Sequence, residues 1–158
     1  ELDLSRLEAM PEKYLGKMTA AQHRLGLMQL AHIDRDNQIR AEKAAQYRRG
    51  LEGIDAFLLP PDDGGDGIYT YFPVQYGNGL PDRQRLLKHL ARHGCDIGPQ
   101  HLKNCADLPA FADFHRDCPN ARRTADAVVL LPTYPSYPER DIAHNVAVLR
   151  AFAAHLSS

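Results

Sequence analysis

His101 and Lys103 stand two residues apart in the stretch Gly98-Pro99-Gln100-His101-Leu102-Lys103-Asn104, and both side chains are chemically suited to an anion. The imidazole is a donor that changes charge near neutral pH, and the ammonium is a fixed point charge. Together they suit a diphosphate; the plainer reading of the same residues is a solvated polar loop. Cys95, His101, Cys105, His115 and Cys118 raise the question of zinc. Structural zinc sites favour close cysteine pairs, which are missing, although His101-Cys105 and His115-Cys118 have usable spacings. Thiols that pack as small apolar groups are the better reading, and no metal site is expected. Tyr69, Tyr71, Tyr134 and Tyr137 could face a sugar or a base, but core packing with the hydroxyl at the rim is the simpler role for Tyr69 and Tyr71. No serine, histidine and aspartate fall into a local nucleophile signature. Gly64-Gly65-Asp66-Gly67 lacks the strand and helix that would make it a phosphate loop.

The elements that must position these residues read as follows. Thr19 with Gln22 forms a capping box, and a helix is predicted from there to about Leu51, with Ala21, Leu25 and Met28 on one face. At ~1.5 Å per residue it would reach about 50 Å, longer than a small domain covers, so it suits a bridge between domains or subunits. Pro60 to Gly67 is an acidic turn-rich loop, and Ile68 to Gln75 an aromatic, β-branched strand that tolerates Pro73 only near an edge or its end. Asp82 to His93 is a helix with Leu86, Leu87 and Leu90 inward and Gly94 as its stop. Cys95 to Gly98 reads as a short strand, and 101–115 as loop with one helical turn near Leu108 to Phe114. Pro119 opens a helix to about Ala127. Val128 to Leu131 is an apolar strand stopped by Pro132, and a proline-tyrosine loop leads to a closing helix over 139–156. The order predicts an α+β fold, a long N-terminal helix plus a small, mainly antiparallel sheet covered by helices.

A chain of 158 residues with 44% hydrophobic content can build one core. The net charge of −1, with dispersed Lys and Arg, argues against a nucleic-acid partner. No run approaches the ~20 apolar residues of a membrane span, and no signal peptide is visible. Three cysteines, an odd number, fit a reducing compartment, so a cytoplasmic setting is expected. The chain opens on Glu1, which reads as a fragment or a processed product.

Taken together, Met18-Thr19-Ala20-Ala21-Gln22, Tyr69-Thr70-Tyr71-Phe72-Pro73-Val74 and Leu130-Leu131-Pro132-Thr133-Tyr134-Pro135 make the chain resemble the C-terminal part of the DegT/DnrJ/StrS-type sugar aminotransferases, from about Tyr14 onward. The resemblance implies the C-terminal small domain of a fold-type-I, pyridoxal-phosphate-dependent enzyme. It divides the chain into a lead-in (1–18), an interdomain helix (19–52) and the small domain (53–158), with the N-terminal cofactor-binding domain absent. It also implies an amino-acid donor, a nucleotide-sugar substrate and a homodimer.

The family loop that contacts the nucleotide sugar falls on Gln100, His101 and Lys103, ahead of Leu108-Pro109-Ala110-Phe111, which matches the family's Gln-Pro-Ala-Tyr element. The family turn Gly-Tyr-Asn-Tyr-Arg-Met-Ser/Thr, whose Asn reaches the cofactor phosphate of the other subunit, falls on Lys13-Tyr14-Leu15-Gly16-Lys17-Met18-Thr19. Leucine cannot donate to phosphate, so Lys17 or the Gly16 backbone must substitute, or the contact is lost. Transamination needs a lysine that holds the cofactor and moves a proton. None of Lys13, Lys17, Lys43, Lys88 and Lys103 has the family's Ser-Phe-His-x-x-Lys context. No catalytic residue and no bound cofactor are therefore expected in this chain alone. An alternative reading is a catalytically silent binding or dimerisation module that kept the fold.

Overall fold

In the computed structural model, residues 16–62, 64, 67–77, 79–98 and 102–156 are described. The capping box forms: the Thr19 N–H donates to Gln22 Oε1 at 2.8 Å, and the Gln22 N–H donates back to Thr19 Oγ1 at 3.3 Å. Where one helix was expected there are two, α1 (Ala20–Leu30) and α2 (Ile33–Leu51). The break lies at Ala31 and His32, where the His32 N–H bonds back only three residues to Gln29 O at 3.1 Å. Two causes act together. Asp34 and Asp36 favour a fresh helix N-terminus at this point. In addition, α1 buries none of its residues, so no packing holds it in register with α2.

Helix α2 is anchored instead, by buried Lys43, Ala44, Tyr47 and Leu51. It packs on the last helix, α5 (Glu139–Ala154), at a point of very close approach. A Cβ on Gly50 would lie 2.6 Å from Val146 Cγ1, so glycine is what lets the two helices meet there.

The sheet is three-stranded and antiparallel, in the order β1 (Phe57–Leu58), β2 (Tyr71–Tyr76), β3 (Val128–Pro132). Its register pairs Phe72 with Leu131 and Val74 with Val129. Phe72, Val74 and Tyr76 alternate as the buried positions of β2, while all five positions of β3 are buried. Pro73 sits mid-strand, yet β1 pairs only with Gln75 and Tyr76. On that side β2 is an edge at Pro73, where a residue without an N–H is tolerated. The strand starts later than Ile68 because Tyr69 has φ +47° and turns the chain; the buried Thr133 hydroxyl holds this turn by donating to Thr70 O at 3.0 Å.

Helix α3 (Leu80–Arg92) buries Leu86 and Leu90, and α4 (Pro119–Ala127) has the predicted bounds. Cys95 to Gly98 is not a strand; it meets the sheet where the Gly98 N–H donates to Leu130 O at 2.8 Å. Two 3₁₀ turns, Cys105–Asp107 and Pro109–Phe114, occupy the stretch predicted as mostly loop. The core lies where α2, α3 and α5 cover the sheet, with Tyr47 stacked on Phe72 (centroids 5.6 Å) and Tyr76 edge-on to Phe152 (5.1 Å).

Candidate substrate-binding site

Lys103 is exposed, two residues before the first 3₁₀ turn. It lines a cavity of about 290 Å³ with Leu80 and Arg83 of α3, Asn104, Asp107 and Arg122 of α4. Arg83 and Arg122 carry no local signal in the sequence, because their proximity to Lys103 depends on how α3 and α4 pack. Gln100 and His101 lie outside the described residues. Lys17 is exposed just ahead of the α1 cap.

The cavity wall is an ordered polar network. Arg122 grips Asp107 with two bonds, Nη2 to Oδ1 at 2.6 Å and Nε to Oδ2 at 2.7 Å, and reaches Asp117 at 3.2 Å. Asn104 donates to Asp107 Oδ2 at 2.9 Å and accepts the Ala106 N–H at 3.4 Å, capping the turn beside Lys103. The hydrogen bonds from Arg122 and Asn104 hold the Asp107 carboxyl down to about 2, and the Arg122 pKa rises in return. Arg83 Nη1 donates to Ala125 O at 2.6 Å and ties α3 to α4.

The segment entering the loop is also fixed. A Cβ on Gly98 would lie 2.6 Å from the Tyr71 ring, and the Tyr134 hydroxyl donates to Asp96 Oδ2 at 3.1 Å. The tyrosines have separate roles. Tyr137 is buried and meets Asn145, Tyr69 packs against the core and receives a bond from Arg48 at 3.3 Å, and Tyr134 keeps about a third of its surface in solvent. Tyr69 lies outside β2, at the turn that leads into it.

A cofactor held as a Schiff base needs a free amine in a pocket. The buried Lys43 is not one: its ammonium donates to the carbonyls of Tyr134 (2.9 Å), Pro135 (2.6 Å) and Tyr137 (2.7 Å). Lys17, Lys88 and Lys103 are exposed, and Lys13 lies outside the described residues. The described residues thus do not fit covalent attachment of pyridoxal phosphate. Among them no three His, Cys, Asp or Glu side chains converge as metal ligands. Burial pushes the Cys95 thiol up to about 11, which makes it a poor nucleophile. No described helix is long and apolar enough to cross a membrane.

Residues 10–150 match the model of the DegT/DnrJ/EryC1/StrS aminotransferase family. The chain belongs to this family. A curated relative, the dTDP-4-amino-4,6-dideoxy-D-glucose transaminase of Shigella dysenteriae, is 24% identical over 139 residues, which is 85% of this chain and 38% of that protein. DesV of S. venezuelae, solved in complex with a ketimine intermediate, aligns with a TM-score of 0.75 at 26% identity, over 84% of this chain and 36% of its own. Spr1654 of Streptococcus pneumoniae, solved in PMP and PLP forms, aligns at 0.75 with 19% identity, over 88% of this chain and 36% of its own. The DegT-family chain described here therefore spans little more than a third of the length of the relatives it matches. Its fold is the α+β architecture of their corresponding third, as the motifs implied.

Proposed function

We propose that this chain is the C-terminal small domain, with its interdomain helices, of a pyridoxal-phosphate-dependent aminotransferase that passes an amino group from an amino acid to a keto-sugar nucleotide. The carrying observation is the family match across residues 10–150, joined to the 0.75 alignment with DesV. In this reading residues 1–18 are the lead-in, 19–52 the interdomain helices and 53–158 the small domain. Lys103, with Gln100 and His101, meets the substrate diphosphate, and Lys17 stands in at the cofactor phosphate of the partner subunit of a cytoplasmic homodimer. The exposure of α1 supports an interdomain place: Leu25, Leu27, Met28 and Leu30 are each 58–68% exposed. Large apolar side chains grouped and exposed in this way are normally covered by something larger.

The chain by itself does no transamination in this reading, since its one described buried lysine is spent on carbonyls. The test has two arms. The full-length protein, supplied with pyridoxal phosphate, glutamate and a dTDP-keto sugar, should form the amino sugar, whereas the isolated chain should neither do so nor develop a borohydride-sensitive absorbance band. Turnover by the isolated chain, or its absence from the full-length protein across nucleotide sugars, would sink the proposal. The second reading, a silent module, is favoured by one residue, Leu15, in place of the family's phosphate-binding Asn.

A further inference from the structure

The Lys103 ammonium has no partner among the described residues, while the backbone beside it is tied down by side chains. Asn104, the next residue, caps the turn through the Ala106 N–H and donates to Asp107 at 2.9 Å. Asp107 is in turn gripped on both carboxylate oxygens by one guanidinium, Arg122, at 2.6 and 2.7 Å. A second tie comes from His115, whose Nδ1 lies 2.7 Å from Ala106 O. Helix α4, which carries Arg122, is itself joined to α3 by Arg83. The loop that holds Lys103 thus hangs from α4 through a planar two-bond fork.

An exposed ion pair normally adds little to stability. A bidentate arginine–carboxylate pair still fixes direction, because both bonds are satisfied in only one relative orientation. The arrangement is therefore better suited to aiming a side chain than to holding the fold together. We infer that Arg122 is a positioning residue: through Asp107 and Asn104 it holds Lys103 where the ammonium can meet a phosphate of the substrate. This rests on the role of Lys103 proposed above and adds the group that aims it. The depressed Asp107 carboxyl keeps the pair charged at every pH where such an enzyme would work.

The test uses the full-length enzyme. Arg122→Met and Asp107→Asn should each raise KM for the nucleotide sugar about fivefold to tenfold, with kcat, the KM for the amino donor and the cofactor spectrum unchanged. Arg122→Lys, which keeps the charge but loses the fork, should recover only part of the loss. The charge-swapped pair Asp107→Arg with Arg122→Asp should recover more than either change alone. In a Lys103→Ala background Arg122→Met should add nothing further, since the two act through one contact. Amide exchange over 102–108 should quicken at least tenfold in Arg122→Met while α2 and α5 stay as they were.

Unchanged exchange in Arg122→Met, or an equal KM penalty with and without Lys103, would overturn the inference. Faster exchange combined with a silent Lys103→Ala would instead overturn the phosphate role of Lys103 and leave the clamp standing.

Discussion

The ammonium of Lys43 lies 2.6 Å from the carbonyl oxygen of Pro135. Its other two protons serve Tyr134 O and Tyr137 O, so one buried cation saturates its three donors on the proline-tyrosine loop and ties that loop to α2. Burial lowers its pKa, against the opposing pull of Glu139. Lys43→Met should leave three carbonyls without their donor and cost about 3 kcal/mol, by the usual range for charged hydrogen bonds and orphaned acceptors. A urea midpoint equal to that of the parent would contradict this.

Asn145 is fully buried, and its Nδ2 lies 3.0 Å from both the Tyr47 and Tyr137 hydroxyls. Burial pushes the Tyr137 phenol up to about 12 and raises Tyr47 further, so both stay neutral. Asn145→Leu should cost about 2–3 kcal/mol, because two buried hydroxyls lose their partner. Adding Tyr47→Phe and Tyr137→Phe should return part of that loss, since the orphaned groups are then gone. Chemical denaturation of the single and triple variants decides it; a triple variant weaker than the single one would refute the network.

Gly50 meets Val146 at a distance no real Cβ keeps. Gly50→Ala gains helix propensity worth about 1 kcal/mol, but overpacking a helix crossing typically costs about 1–3 kcal/mol. Crowding should win, with a lower thermal midpoint. Val146→Ala added to Gly50→Ala should restore much of it. A Gly50→Ala protein more stable than the parent would show that Val146 yields to the added methyl at little cost and would refute the crowding argument.

His89 of α3 packs its ring on Phe152 of α5 at 4.9 Å and on His93 at 4.2 Å, and its buried Nε2 has no hydrogen-bond partner among the described residues. Burial, then the charges of His93, His155 and Arg92, lower its pKa below 6.5. Arg85 also lies over the Phe152 ring, so the seam is lined by cations. The folded state therefore binds this proton less readily than the unfolded state. Stability is whole above about pH 6.5 and falls as acid carries the solution through the lowered folded value. The thermal midpoint should drop between pH 7.5 and 5.5, and His89→Leu should flatten that slope. An unchanged slope would assign the pH dependence elsewhere.

Much of the fold was legible in the sequence where the signal was local. Thr19 with Gln22 marked a helix start, Pro119 marked another, and the apolar run ending at Pro132 marked a strand, because caps, prolines and short apolar runs act within a few residues. The division of α1 from α2 was not legible. It depends on what each helix packs against, and the helical pattern runs through both. Two-residue β1 was invisible for the same reason: Phe57 and Leu58 are strand only because Tyr76 and Gln75 lie beside them.

The candidate site divides in the same way. The resemblance to the family pointed to Lys103 as a substrate-loop residue, a role that its exposed ammonium suits. The sequence by itself also determined the family and the α+β class, since both rest on patterns read along the chain. Only the tertiary structure decided that Arg122 aims at Asp107, 15 residues away, and that Lys43 is spent on a loop more than 90 residues away. Such partnerships are set by the packing of α2, α4 and the sheet, and long-range geometry leaves no periodic trace along the chain.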